Sequence, residues 1–393
     1  MKQFPTLLKE RLQKLDEAQC RRRLSLRSGI DFSSNDYLGF SEDPELRSLA
    51  QRSLEMVPLG ASGSRLLRGH LSVFEEAEKV LAEFCGRESA LIYCSGYQAN
   101  VGLLSALLGV GDTVYSDQLN HASIIDGIKL SGAQRRIYLH SDVAHLRQLL
   151  EADSECPGLK VVVTESLYGM DGDVAPLLAL ADLAEEHSAL LIVDEAHATG
   201  IWGDFEQNQG GGWVQKLGLT QRVFATIHPA GKAMGLSGAW VCGDGLLKEY
   251  LVNSSRAFIF STAPLPVLPA LLMASVQHWR RVGRGRAKKL LENALYFQES
   301  LNFKAVKPGP IIPIILGENS RALHVAQELQ ALGFDVRAIR PPTVPEGTAR
   351  LRITLNCNHR VEDLDRVGGL IRLAISPTQS TPQKNHSPCH PPQ

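Results

Sequence analysis

Residues 161–200 read VVVTESLYGMDGDVAPLLALADLAEEHSALLIVDEAHATG. The stretch opens on an apolar, β-branched run, Val161 to Thr164, which predicts a buried strand. Pro176 opens a helix that continues through Glu186, and Ala189 to Val193 predicts the next strand. Strand, helix and strand in that order form a β-α-β unit. Its two strands are expected to run parallel, joined by a right-handed crossover. Ligands of open α/β sheets bind beyond the carboxyl ends of the strands. Asp194-Glu195-Ala196-His197 falls at such an end.

The same alternation extends outward. Upstream, Ser72-Val73-Phe74-Glu75 has the spacing of a capping box, with Phe74, Ala77, Leu81 and Phe84 on one helix face and Gly86 at its end. Ala90 to Tyr93 predicts a short strand, and Ser95-Gly96-Tyr97 turns into a helix over Gln98 to Leu108. Repeated units of this kind make an α/β lobe with a mostly parallel central sheet. Beyond about Pro264 the pattern changes to long helices, then short strands near Ile311 to Ile315 and Arg350 to Leu355. We therefore expect an N-terminal helix and arm (1–45), a large α/β domain (46–263) and a smaller C-terminal α+β domain (264–376). The tail, 377–393, is rich in Pro, Ser, Thr, Gln and His and is expected to be disordered.

Composition narrows the function classes. The 393 residues are 44% apolar with a formal net charge of -1, which supports a full core and argues against phosphate-driven nucleic-acid binding. The seven cysteines form no CxxC pairs, so a disulfide framework or zinc ribbon is not expected, nor any metal; the reading is reduced thiols in a cytoplasmic protein. The N-terminus lacks the apolar core of a signal peptide and reads as an amphipathic helix. The apolar stretch Phe258 to Val276 is broken by Pro264, Pro266 and Pro269, so it is not read as a membrane span.

Five features carry possible chemistry. Asp194 could hold the protonated nitrogen of a pyridine ring, with His197 on the ring hydroxyl; it could equally cap a loop. The letters DEAH also occur in helicases, but those need an upstream GxxxxGK[ST] phosphate loop, and no such loop is present. Ser95-Gly96-Tyr97 presents a helix N-terminus, suited to phosphate. Lys232 lies among Gly231, Ala233, Gly235, Ser237 and Gly238, small residues that admit a bulky group beside a Schiff-base lysine. His121 follows the strand Thr113 to Tyr115 and could stack on a flat ring. Arg350 and Arg352 alternate in a strand, so they share a face, where a guanidinium could grip a carboxylate. Each feature alone also fits an ordinary structural residue.

Taken together and in order, the motifs FSSNDYLGF (32–40), GASGSRLLRGH (60–70), CSGYQANVG (94–102), SDQLNHASIIDG (116–127), TESLYGMDGDVAPL (164–177), VDEAHATGIWG (193–203), GKAMGLSGA (231–239), FIFSTAPLP (258–266) and RPPTVPEGTARLRITL (340–355) resemble the α-oxoamine synthase family of fold-type I pyridoxal-phosphate (PLP) enzymes. The resemblance covers about Arg21 to Leu373 and is strongest to the biotin-pathway branch. It implies a fold-type I architecture, PLP as cofactor, and decarboxylative condensation of L-alanine with pimeloyl-CoA or a pimeloyl carrier protein. It further implies that Lys232 forms the Schiff base, that Gly96 and Tyr97 bind phosphate, and that Asp194 and His197 hold the ring nitrogen and hydroxyl. His121 would stack on the ring, and Arg21, Thr343 and Arg352 would contact substrate, Arg352 taking the amino-acid carboxylate. A homodimer is implied, with Ser261-Thr262 reaching the partner's cofactor.

Two positions depart from the family pattern. Pro229 stands where the family usually has a phosphate-bonding Thr, and Gly169 where it usually has Ser before MDGD. Both losses are expected to weaken the hold on cofactor, with water or Thr226 as a possible substitute at the phosphate. Two alternatives stay open: a sister synthase using glycine or serine with another acyl-CoA, and a catalytically silent partner subunit, against which Lys232 argues.

Overall fold

A computed structural model describes residues 3–303 and 309–375. The tail expected over 377–393 lies outside the described residues. Among the described residues twelve strands follow in chain order: β1 (Ile30–Asp31), β2 (Ser89–Tyr93), β3 (Thr113–Asp117), β4 (Gln134–Tyr138), β5 (Lys160–Glu165), β6 (Leu190–Asp194), β7 (Ala225–Pro229), β8 (Ala239–Gly243), β9 (Ile311–Gly317), β10 (Phe334–Asp335), β11 (Ala338–Ile339) and β12 (Ala349–Thr354). The main sheet has the order β2-β8-β7-β6-β5-β3-β4. Only β8 runs against its neighbours; the pairs β3/β4, β3/β5, β5/β6 and β6/β7 are parallel.

The strands that opened the reading sit at the middle of this sheet. Val161, Val162, Val163, Leu191, Ile192 and Val193 are all essentially inaccessible, as a sheet covered on both faces requires. Between β5 and β6 runs the helix Leu177–Glu186, which buries Leu177, Leu180, Ala181, Leu183 and Ala184. Register places Glu165 beside Asp194, each the last residue of its strand.

A second, antiparallel sheet of order β11-β12-β9 is built from the C-terminal part, with the helices Asn319–Ala331 and Val361–Ile375. β1 pairs in parallel with β10, so the N-terminal arm joins a C-terminal element. The N-terminal helix is Gln3–Glu17. Among the described residues no helix is long and apolar enough to cross a membrane.

One expected cap is absent. The helix Ser72–Phe84 forms and buries Phe74, Ala77, Leu81 and Phe84, but its N-cap is Leu71 and no side chain caps it. Ser72 is already inside the first turn, and Glu75 reaches His70 Nε2 at 3.1 Å instead of the N-cap amide. The C-terminal stop is as expected: Gly86 takes a positive φ of 64° beyond Cys85.

Candidate active site

Parallel strands bring their carboxyl ends to one edge, and the candidate residues converge there. Asp194 ends β6, Glu165 ends β5, and Lys232 lies three residues beyond β7. His121 caps the helix Ala122–Ser131 that follows β3, and Ser95 caps the helix Gly96–Leu107 that follows β2.

Lys232 Nζ is 2.8 Å from His197 Nε2, and His197 Nδ1 is 2.5 Å from the Tyr37 hydroxyl. Burial brings the Lys232 ammonium down to about 8; Asp194 and Glu165 oppose that shift and Arg352 adds to it. His197 falls well below the usual imidazole range, through burial and then the cations Lys232 and Arg352. A neutral imidazole therefore faces an amine that loses its proton more readily than an ordinary lysine.

Asp194 is buried, and its carboxylate accepts from Asn100 Nδ2 at 2.7 Å and from the Ala196 amide at 2.8 Å. Asn100 also donates to Ser123 Oγ at 3.0 Å, and Ser123 Oγ meets His121 Nδ1 at 2.7 Å. The His121 backbone amide donates to Glu165 Oε1 at 2.7 Å. Burial, and then the adjacent Asp194, push the Glu165 carboxyl up to about 8. Two carboxyls side by side at a low-dielectric edge cannot both ionise cheaply, so Glu165 keeps the proton.

Arg352 and Arg350 are both buried on β12, as the alternation predicts. Arg352 donates from Nε to the Gly169 carbonyl, from Nη1 to Thr354 Oγ1 at 2.9 Å and from Nη2 to Asn35 Oδ1 at 2.9 Å. Arg350 is paired with Asp171. Arg21 and Thr343 line a different feature, a groove of about 700 Å³ between the arm and β11 that shares no lining residue with the Lys232 cluster. There Arg21 pairs with Asp16 at 2.5 Å, while Arg22 donates to Thr343 Oγ1 at 2.7 Å.

Both departures have a structural counterpart. A Cβ at Gly96 would stand 2.6 Å from Pro229 Cγ, so the proline ring lies flush against the helix N-terminus. A Cβ at Gly169 would stand 2.4 Å from His197 Nε2. Thr226 does not replace the missing hydroxyl: its Oγ1 meets His228 Nε2 at 2.7 Å, and, three residues from Pro229 along β7, it belongs to the opposite face. The His228 ring also lies near Cys85 and Cys242, but both its nitrogens are engaged by Thr226 and Thr199 hydroxyls.

The donor set fits pyridoxal phosphate. Asp194 supplies a buried carboxylate for a protonated ring nitrogen, and Lys232 an amine of lowered basicity. Ser95 Oγ accepts the Gln98 amide, which leaves the Gly96 and Tyr97 amides at the helix start, where no intrahelical acceptor exists. Glu165, Asn100 and Tyr37 were not singled out from sequence. For Glu165 a signal existed: it ends an apolar strand just as Asp194 does.

Residues 27–369 match the family model for aminotransferase class I and II. A relative named 8-amino-7-oxononanoate synthase, from Marinobacter nauticus, is 44% identical over 345 residues, covering 87% of this chain and 86% of its own. A solved structure of SPT with PLP as the internal aldimine is 28% identical with a TM-score of 0.85, covering 95% of this chain and 97% of its own. An 8-amino-7-oxononanoate synthase from Francisella tularensis is 27% identical with a TM-score of 0.74, covering 88% of this chain and 97% of its own.

Proposed function

The chain belongs to the aminotransferase class I and II family, and within it we propose that this PLP-dependent acyltransferase carries out the 8-amino-7-oxononanoate synthase reaction of biotin biosynthesis. We assign it L-alanine and a pimeloyl thioester, on CoA or a carrier protein, as substrates. The observation that carries the reading is the Lys232–His197 contact at 2.8 Å beside the buried Asp194 at the sheet edge.

When bound, PLP supplies an electron sink for negative charge at the amino-acid Cα. The chain's own residues do the rest. Lys232 would anchor the cofactor through Nζ and, as a free amine, would take the Cα proton. Its lowered basicity lets the neutral amine exist near neutral pH. Asp194 keeps a proton on the ring nitrogen, held in place by Asn100 and the Ala196 amide. Gly96 and Tyr97 amides receive the phosphate, and His121 covers the ring. Arg352 takes the substrate carboxylate, its guanidinium oriented by Gly169, Thr354 and Asn35. A bond forms between the amino-acid Cα and the thioester carbonyl carbon. The carbon–sulfur bond would break as the thiol leaves; the Cα–carboxylate bond would then break with loss of CO2, and Lys232 would return the proton to Cα.

We assign a large lobe, 46–263, and a small lobe, 264–376; the separate seven-stranded and three-stranded sheets support that division. We also assign a homodimer. Met56, Leu59, Leu67, Phe260 and Leu265 are exposed on the single chain, and a partner surface would cover such residues.

The test combines an absorbance spectrum with a substrate screen. Wild-type protein with PLP should show a visible band that Lys232→Ala lacks. Assays across L-alanine, glycine and L-serine with pimeloyl-CoA and other acyl-CoAs should show turnover with L-alanine and the pimeloyl thioester. A band without that turnover would move the chain to a sister synthase; no band would favour the silent partner subunit.

A further inference from the structure

The segment joining β5 to the helix Leu177–Glu186 is a closed hairpin. Leu167 and Val174 bridge antiparallel, the Tyr168 amide donates to the Asp173 carbonyl at 2.9 Å, and the Ala175 amide to the Ser166 carbonyl at 3.1 Å. Its tip reaches three other parts of the molecule. Gly169 lies against the His197 ring and offers its carbonyl to Arg352. Asp171 pairs with Arg350. Gly172 packs so closely on β9 that a Cβ there would stand 2.2 Å from the Ile311 carbonyl. Where this tip stands therefore sets the spacing between His197 and the Arg352 guanidinium.

The His140 side chain ties the hairpin to the main sheet, alongside the Tyr168 hydroxyl, which lies 2.7 Å from Thr164 Oγ1, and Ser166 Oγ, which donates to Glu195. His140 Nδ1 is 2.9 Å from Asp117 Oδ1, and His140 Nε2 is 2.8 Å from Asp173 Oδ2. Its ring meets Tyr168 edge-on, with centroids 4.4 Å apart. The Asp117 end is fixed, because its carboxylate also accepts the Leu119 and Ser141 amides at 2.8 and 2.9 Å. The Asp173 end is not: its Oδ1 is buried without a partner among the described residues, so His140 is the polar anchor of that carboxylate. A ring nitrogen on each of two carboxylates requires both to donate, so His140 is an imidazolium. Consistently, the two carboxylates raise it to about 10 against the opposing effect of burial.

We propose that His140 is a positioning residue for the amino-acid substrate: clamped between Asp117 and Asp173, it holds the 166–175 hairpin so that Arg352 and His197 stand at the spacing the substrate carboxylate requires. It touches neither Lys232 nor the cofactor residues and acts through Gly169 and Asp171. The proposal rests on the reading of Arg352 as the carboxylate site.

The test uses His140→Gln and Asp173→Asn, singly and together, in the full-length enzyme loaded with PLP. Losing a charge-assisted bond at the clamp should raise KM for the amino acid by about tenfold or more, with kcat changed by less than about threefold. The visible band should be retained. The double variant should be no worse than the poorer single one, since both break the same link. Hydrogen exchange over 166–175 should quicken in each variant; this readout needs no substrate, so it judges the clamp even if wild-type enzyme rejects L-alanine. KM within twofold of wild type, despite a lowered Tm, would overturn the positioning role and leave a structural one. Unchanged exchange over 166–175 would overturn the clamp itself, as would equal losses of kcat and kcat/KM.

Discussion

Replacing Gly169 with serine should loosen the site, although serine is the residue expected there from the family resemblance. A Cβ at this position would stand 2.4 Å from His197 Nε2, 3.0 Å from Cε1 and 3.1 Å from Cδ2. Ordinary contact begins near 3.4 Å, so the ring would have to retreat by about 1 Å. It is not free to do so. Tyr37 holds Nδ1 at 2.5 Å, and Nε2 faces Lys232 Nζ at 2.8 Å. A retreat of that size takes the lysine contact out of hydrogen-bond range. Overpacking of this kind costs about 1–3 kcal/mol, and a lost buried hydrogen bond about 1 kcal/mol more. We expect Gly169→Ser to be destabilised by roughly 2–4 kcal/mol in urea unfolding and to bind PLP more weakly in an absorbance titration. Stability within about 0.5 kcal/mol of wild type, together with tighter PLP binding, would refute the steric argument.

Three further outcomes follow from the electrostatics. Glu165 carries a proton in the folded state up to about pH 8, whereas its ordinary value is 4.5. Its stabilising share is thus complete below 4.5 and is lost as pH rises through about 8, with a slope of at most about 1.4 kcal/mol per pH unit. Glu165→Gln should flatten the decline in urea stability across that window, and an undiminished decline would count against a protonated Glu165. As the proposed Schiff-base residue, Lys232 would react through its neutral amine, so the rate of PLP binding to cofactor-free enzyme should climb as pH approaches about 8 and level off above it; a rise centred near 10 would show an ordinary lysine. Arg352→Lys keeps one charge but loses the fork that spans Gly169, Thr354 and Asn35, so KM for the amino acid should rise about tenfold or more; an unchanged KM would place the carboxylate elsewhere.

The parts legible in sequence were those set by local pattern. The β-branched run at 161–164 and the apolar run at 189–193 became neighbouring parallel strands, because a doubly covered sheet demands unbroken apolar side chains. Asp194, His197 and Lys232 were brought together because parallel strands deliver their carboxyl ends to one edge. What pattern could not give was partnership across long separations. Tyr37 meets His197 160 residues away, and Asn100 meets Asp194 94 residues away. Neither pairing leaves a periodic trace. The Ser72–Glu75 spacing misled for a related reason: His70, just outside the helix, competes for the Glu75 carboxylate. Arg21 and Thr343, expected at the substrate, stand together in the arm groove and share no lining residue with the lysine cluster.

The two departures from the family pattern are better understood as fitted pairs than as losses. A hydroxyl at 229 would have offered the cofactor phosphate one donor; Pro229 instead seats its ring against Gly96, at the start of the helix whose amides are proposed to take that phosphate. A serine at 169 would have offered a further side-chain donor; Gly169 instead lets the His197 ring come in against the backbone, where it contacts Lys232 and Tyr37 together. In each case a side-chain donor is exchanged for closer packing around a group that remains. On the proposed reading, the cofactor's phosphate would then depend on the Gly96 and Tyr97 amides and its ring end on Asp194, whose two donors, Asn100 and the Ala196 amide, are both buried. Restoring only one hydroxyl breaks a fit without rebuilding the older one. Non-additive behaviour of Pro229→Thr and Gly169→Ser with their contacting residues, rather than simple gains, is what this geometry requires.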